Sequence, residues 1–336
     1  MNPINVLILS AGRRVELVNC FKSAAKALGI EGNVLAVDCS RTAPALYFAD
    51  RGIMLPRIKS GDYVEAIIDI CKREHVTLIV PTIDTELLLL AEQKDRIEKQ
   101  TGAKLLISDI EIIKICRNKL VTQKFMEENG FLMPRLLQTE ELKAEDLPFP
   151  LFMKPIDGSS SIDAFKVNNR DELDTYIKLI KEPIVQEYIA GEEYTVDVFL
   201  DFDSNIISVV PRVRIATRSG EISKGRIVKD REIIADVTRL MEVLKPIGHI
   251  TVQCKKTDKG VAYIEINPRF GGGAPMSIKA GADSCQNLYR LMRGEKLTYN
   301  EDYRENVTFL RFDSCIMLDE DLKPEVETDN EESSPV

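Results

Sequence analysis

The stretch Tyr263-Ile264-Glu265-Ile266-Asn267-Pro268-Arg269-Phe270, with Gly271-Gly272-Gly273 behind it, constrains this chain more than any other. Ala262, Ile264 and Ile266 alternate with Tyr263, Glu265 and Asn267, which is the period of a half-buried strand. The alternation predicts isoleucines facing a core and Glu265 with Asn267 on the opposite face. Upstream, His249 to Cys254 alternates in the same way, and Lys256-Thr257-Asp258-Lys259-Gly260 supplies turn chemistry. A hairpin follows, with Gln253 across from Glu265. A carboxylate beside two neutral oxygen donors suits Mg²⁺, which takes one or two carboxylates and leaves its other positions to phosphates and water. Arg269 adds a cation where phosphate charge would gather. A solvated polar face ending at a turn accounts for the same common residue types.

At 336 residues the chain is long enough for two or three domains, and its 44% hydrophobic and 29% charged content is that of a globular protein. The formal net charge of −9 is concentrated at one end: residues 319–336 hold eight acids and a single lysine. That end reads as a disordered acidic tail. No basic stripe points to nucleic acid. Seven cysteines are scattered without a C-x-x-C pair, which argues for reduced thiols and against a zinc site. With His75 and His249 as the two histidines, a Ser-His-Asp triad is poorly supported. Neither a charged leader nor 18 consecutive apolar residues occurs, so the expectation is a cytoplasmic protein with no membrane partner.

Residues 1–112 read as an α/β layer. Strands are expected over 4–9, 34–37, 77–80 and 105–107, and helices over 15–28, 63–74 and about 86–100. Alternating strands and helices predict a doubly wound parallel sheet. Ser10-Ala11-Gly12-Arg13 lacks the G-x-G-x-x-G spacing of dinucleotide binding, which disfavours a nicotinamide or flavin enzyme. Ligands of open parallel sheets sit at the carboxyl ends of the strands. Gly12, Arg13, Asp38 and Asp84 are therefore substrate-side candidates, or turn residues without a ligand.

In residues 113–200, Asn118 can cap a helix that opens with Lys119 and stops at Gly130. A cation in a first helical turn gains nothing from the helix dipole, so an anionic partner for Lys119 is worth considering beside a plain surface role. Lys154 precedes Pro155 and is held extended among apolar neighbours. Asp157-Gly158-Ser159-Ser160-Ser161 offers backbone N–H and hydroxyl donors for a phosphate, although no P-loop pattern exists in the chain. Farther on, Ile184 to Ile189 could lie against a purine, and Glu193 could accept both ribose hydroxyls.

The order of these parts resembles the ATP-grasp superfamily. A lysine at a helix start is followed by a second lysine before a Gly/Ser hairpin. The Gln-Glu-Tyr-Ile-Ala-Gly-Glu-Glu linker and the Gln…Glu-Ile-Asn-Pro-Arg hairpin come after them. The likeness covers roughly residues 1–300 and is nearest to one ATP-binding unit of the carbamoyl-phosphate synthase large subunit and to stand-alone carboxylate–amine ligases. It implies an N-terminal doubly wound domain over 1–112, a two-lobed ATP-grasp domain over 113–315 and a tail over 316–336. It further implies that Lys119, Lys154 and the serines Ser159, Ser160 and Ser161 contact ATP phosphates. Glu187, Tyr188 and Ile189 would hold adenine and Glu193 the ribose. Gln253, Glu265 and Asn267 would surround Mg²⁺ (or Mn²⁺), while Arg269 steadies the transferred phosphoryl group. The hairpin tip departs from relatives in being rich in serine where they have more glycine.

In residues 201–336, Arg212, Arg214, Arg218, Lys224 and Lys229 are spaced so that some face the γ-phosphate or an acidic substrate, and Arg214 and Lys224 are the two favoured. The glycines 271–273 permit close backbone approach to a bound acyl group, or serve as a hinge. The implied activity is a ligase that joins a carboxylate to an amine through an acyl phosphate, releasing ADP and phosphate. The alternatives are a non-catalytic ATP-binding regulator and a kinase-like enzyme that stops at the acyl phosphate. The substrates would be small molecules, and a homodimer is the commonest soluble assembly.

Overall fold

The apolar run after Pro3 becomes strand β1 (Asn5–Ile8), buried on both faces as a central parallel strand must be. The computed structural model describes residues 3–156 and 163–324. Around β1 lie β2 (Val34–Asp38), β3 (Arg51–Met54), β4 (Val76–Val80) and β5 (Lys104–Leu105), in the order β3-β2-β1-β4-β5 and all parallel. Val6 and Ile8 pack toward helix α1 (Val15–Ala27), which contributes Leu17, Val18 and Phe21. Leu7 and Leu9 pack on the other face against α3 (Tyr63–Arg73) and α4 (Asp84–Glu92). A short α2 (Ala45–Phe48) precedes β3, and α5 (Lys94–Thr101) precedes β5.

The sequence reading missed one strand here and merged two helices into one. Strand β3 has no apolar run because it is an edge strand, largely exposed along its length. The single helix expected over 86–100 is two, broken at Gln93.

Helices α6 (Ile110–Arg117) and α7 (Lys119–Glu128) lead into the second domain. Its small lobe is a three-stranded antiparallel sheet, β7-β6-β8, from β6 (Leu151–Pro155), β7 (Phe165–Val167) and β8 (Pro183–Glu187), backed by α8 (Arg170–Leu179). The large lobe is a six-stranded sheet that uses β9 (Glu192–Leu200), β10 (Ile206–Arg218), β11 (Glu221–Ile227), β12 (Gly248–Thr257), β13 (Gly260–Asn267) and β14 (Thr308–Leu310). Its order is β13-β12-β9-β10-β11-β14. Helix α9 (Arg231–Leu244) covers one face through Ile233, Val237, Leu240 and Met241. Helices α10 (Ala274–Ala280) and α11 (Ser284–Met292) return to α1, where Phe270 and Tyr289 meet Phe21 edge-on.

The β12–β13 hairpin pairs Gln253 with Glu265 as the spacing required, but the alternation is not continuous. Gln253 faces Glu265 while the next residue, Cys254, faces Tyr263, so Ile264 is an extra residue in β13. This β-bulge resets the pleat. Tyr263 and Ile266 both enter the core under α9, whereas Ile264 lines a cavity beside Glu265. The expected core position of Ile264 is thereby corrected. Among the described residues, no helix is long and apolar enough to cross a membrane.

Candidate active site

A cavity of about 620 Å³ opens between the small sheet, the large sheet and the carboxyl ends of β1 and β4. In the N-terminal sheet the strand order reverses between β1 and β4, the switch point where ligands of such sheets bind. The chain leaves β1 into Ser10–Arg14 and leaves β4 into Thr82–Asp84. Glu86 fastens these two segments together: its carboxylate accepts from Ser10 Oγ at 2.6 Å, Tyr63 OH at 2.7 Å and Thr82 N at 2.8 Å. Burial raises its pKa, against the pull of those donors.

Lys119 opens α7 because Asn118 caps it, accepting from the backbone N–H of Leu120 and Val121. Its Nζ donates to Ile156 O at 2.8 Å, beside the end of β6. Lys154 lies on β6, its pKa pulled down to about 8 by burial, with the nearby Lys119 charge adding to the shift and Glu265 opposing it. Two lysines thus point their charge into one lined space whose far side carries a carboxylate.

Behind β8, Glu187, Tyr188 and Ile189 line the same cavity with Met133 and Phe152. Lys255 Nζ donates to Ile189 O at 2.8 Å and stands 5.1 Å from the centre of the Tyr188 ring. Glu193 Oε1 lies 2.9 Å from Arg214 Nε. Arg214 also donates to Thr195 Oγ1 and Gly220 O, so it is fixed from three sides.

On the β12–β13 hairpin, Glu265 Oε1 accepts from Gln253 Nε2 and from Asn267 Nδ2, each at 2.7 Å. One carboxylate with two flanking amides is a donor set of hard oxygens that fits Mg²⁺, once phosphate oxygens and water supply the remaining positions. Among the described residues, no cluster of three or more His, Cys, Asp or Glu is placed to hold a metal without such help. Arg269, just past β13, reaches across to the N-terminal domain and donates from Nη2 to Asp84 Oδ2 at 2.5 Å. Next to it, Arg14 donates to Thr82 O at 2.7 Å. Burial lowers the Arg14 pKa to about 10, and the Arg269 charge adds to that shift.

The glycines 271–273 serve close approach between the domain's own parts. A Cβ on Gly272 would come within 2.7 Å of the Glu221 carboxylate, and one on Gly273 within 2.1 Å of Arg212 Nη1. Arg212 is fully buried and donates to Asp197 Oδ2 at 2.9 Å. Ser277 Oγ donates to the same oxygen, and His249, stacked on Phe270, faces the other.

The structure gathers Lys119, Lys154, Glu187, Tyr188, Ile189, Glu193, Arg214, Gln253, Glu265, Asn267 and Arg269 around this one cavity. Lys224 departs from the expectation. It is exposed and outside the lining, because the register of β10–β11 shifts twice around Ala216, its partner, and turns Lys224 toward solvent. Ser159, Ser160 and Ser161 lie outside the described residues. Gly12 and Arg13 do not line the cavity, and Asp38 instead accepts from Gly12 N to tie the loop. Sequence reading passed over Arg14 and did not favour Arg212. The signal for Arg212 is a charge inside Val209-Val210-Pro211-Arg212-Val213, a run otherwise fit for burial. Arg14 follows the first strand's turn by one residue more than the reading allowed.

Residues 6–106 match the family described as PylC-like, N-terminal domain, and residues 116–273 match the ATP-grasp domain. D-alanine–D-alanine ligase of Fusobacterium nucleatum is 29% identical over 119 residues, covering 35% of this chain and 38% of that protein. Carbamoyl-phosphate synthase of Methanobrevibacter smithii is 21% identical over 143 residues, 41% of this chain and 39% of that one. The chain thus spans less than half the length of either relative. The biotin carboxylase domain dimer of Hydrogenobacter thermophilus 2-oxoglutarate carboxylase was solved with MgADP, ADP and bicarbonate. It superposes with a TM-score of 0.70 at 18% identity, over 92% of this chain and 74% of that one, a likeness of fold. With both domains matched in order, the chain carries a PylC-like N-terminal domain followed by an ATP-grasp domain.

Proposed function

We propose that this protein is an ATP- and Mg²⁺-dependent ligase that joins a carboxylate to an amine and releases ADP and phosphate. One observation carries the reading. A single cavity combines two lysines, an apolar pocket with backbone groups beside it, a carboxylate flanked by amides, and an arginine beyond them. That is the sequence of groups needed along a nucleotide from phosphates to base, with room left at the phosphate end for an acid.

In the first step a carboxylate oxygen of the acid attacks the γ-phosphorus, and the bond to the ADP oxygen breaks. The product is an acyl phosphate. In the second step the amine nitrogen attacks the acyl carbon, phosphate leaves with the electron pair of the C–O bond, and the nitrogen releases a proton to solvent. Lys119 and Lys154 offset phosphate charge within the cleft, where Lys154 is largely buried. The β8 linker presents Glu187, Tyr188 and Ile189 to adenine, and Glu193, oriented by Arg214, is placed for the ribose hydroxyls. Gln253, Glu265 and Asn267 would hold the metal, which would supply neutralisation of phosphate charge. Arg269 steadies the acyl phosphate until the amine arrives. In this reading Mn²⁺ can replace Mg²⁺ in the same donor set. The protein works in the cytoplasm on small molecules as a homodimer, and its four buried cysteines remain free thiols there.

The test is ADP and phosphate release with MgATP against a pool of amino acids and small acids. Release that needs both an acid and an amine is expected. Release with the acid alone would replace the ligase by an acyl-phosphate kinase. Nucleotide binding by calorimetry with no release from any pool would overturn catalysis altogether.

A further inference from the structure

Three of the arginines that line the cavity are held by a carboxylate, and Arg14, which stands beside one of them, is not. Arg269 holds Asp84, Arg212 holds Asp197, Arg214 meets Glu193, and Arg311 meets Glu221. Arg14 forms no ion pair among the described residues, and its side chain donates to one carbonyl, Thr82 O. A guanidinium has five donors, so most of Arg14's capacity is open at the cavity wall. The adjoining Arg269–Asp84 pair is also half used. Arg269 Nε and Asp84 Oδ1 are buried without a hydrogen-bond partner, as Arg212 Nε and Asp197 Oδ1 are, and it is the Arg269–Asp84 pair that adjoins Arg14. Buried polar atoms left open in this way are costly unless something fills them.

These groups stand where strands β1 and β4 part, the crevice that open parallel sheets use for ligands. Glu86, through Ser10 and Thr82, holds the two segments that carry Arg14 and Asp84 in fixed relation. A half-buried cation without an ion pair, beside an arginine with an open Nε–H, is suited to a planar anion with two oxygens.

We infer that Arg14 is the substrate-binding residue supplied by the N-terminal domain: with Arg269 Nε it receives the carboxylate of the acid substrate. This deepens the ligase reading and rests on it for the identity of the anion as substrate. The acid is gripped at the domain boundary while nucleotide is held by the grasp, so the two affinities are separable by mutation. Asp84 positions Arg269 for the incoming carboxylate, and its free oxygen can accept an N–H from the acid or the amine.

The experiment reads acid binding without turnover. Saturation-transfer NMR is recorded on the full chain with MgADP and an equimolar pool of amino acids and small mono- and dicarboxylic acids. The wild type is compared with Arg14→Gln, Arg14→Lys and the surface control Arg231→Gln. Expected are acid signals in the wild type and control, a loss of roughly tenfold or more in Arg14→Gln, partial retention in Arg14→Lys, and unchanged MgADP affinity in all four. Equal acid signals in Arg14→Gln, or no acid signal in the wild type, would overturn the assignment. So would a parallel loss of MgADP affinity, which a merely structural role would produce. Acid bound through Arg14 with no ADP release would keep this site and defeat the ligase reading. ADP release with an acid KM unchanged in Arg14→Gln would do the reverse.

Discussion

The pairs Arg212–Asp197 and Arg269–Asp84 are both close arginine–aspartate contacts, at 2.9 and 2.5 Å, but they join different things. Arg212 and Asp197 come from neighbouring strands of one sheet and are 1% and 2% exposed. Burial alone would raise the pKa of Asp197, but Arg212, His249 and Ser277 outweigh it and hold the carboxyl well below the usual range. Arg269 and Asp84 come from separate domains and are 13% and 7% exposed, and in both pairs the arginine Nε and the aspartate Oδ1 lack a hydrogen-bond partner. The first pair is tied to helix α10 through Ser277, and the second joins the two domains at the cavity wall next to Arg14. Similar chemistry at similar distance therefore stiffens a single sheet in one place and bridges two domains in the other.

The sharpest way to break this contrast is to remove one acid from each pair. Asp197→Ala leaves Arg212 as an uncompensated buried charge and should cost ~3–5 kcal/mol in urea unfolding. Asp84→Ala should cost clearly less, and equal losses would erase the distinction. The sign with pH follows from the depressed Asp197 value. Its contribution is fully present above the ordinary aspartate range and is lost only as pH falls through the lower folded value. Acid unfolding should thus begin at higher pH once Asp197 is replaced by asparagine.

Next in size, Glu265→Gln removes charge at the metal set while the β12–β13 pairing persists. Turnover should fall by about 10²–10³ with the unfolding midpoint nearly unchanged. A wild-type rate would remove Glu265 from the chemistry. A smaller effect concerns Lys154, whose ammonium pKa is pulled down to about 8 in the unliganded protein. Phosphate binding favours the charged form, so MgATP should bind with proton uptake. Its affinity should weaken roughly tenfold between about pH 7 and pH 9, and calorimetry in buffers of different ionisation enthalpy reads both. Lys154→Arg should flatten that profile. Smallest of all, Lys224→Ala should change stability and rate by no more than ~0.5 kcal/mol, since the side chain is exposed and outside the cavity.

Much of this was legible in the chain because short-range rules governed it. The doubly wound sheet followed from apolar runs alternating with amphipathic helices, and the Asn118 cap and the Gln253–Glu265 pairing followed from local spacing. What escaped depended on events that spacing does not encode. Lys224 was turned outward by a register shift against β10, and Ile264, itself the extra residue opposite β12, was turned out of the core onto the cavity wall. Strand β3 is exposed and has no apolar signature. Arg14 and Arg212 gain their roles from groups 68 and 15 residues away, respectively, which only the folded chain brings near.

The bulge at Ile264 also bears on how this protein can be edited. Cys254–Tyr263 and Gln253–Glu265 are already successive rungs, so Ile264 is a surplus division on the ruler of strand β13. Deleting it would leave Tyr263 in the core and Glu265 at the cavity, a one-residue excision within a strand that preserves every neighbouring side chain's facing. The loss would fall on the cavity wall and on the local twist. Length at this position is a tuning variable for the shape of the cleft, separate from the identities of the residues that do its chemistry.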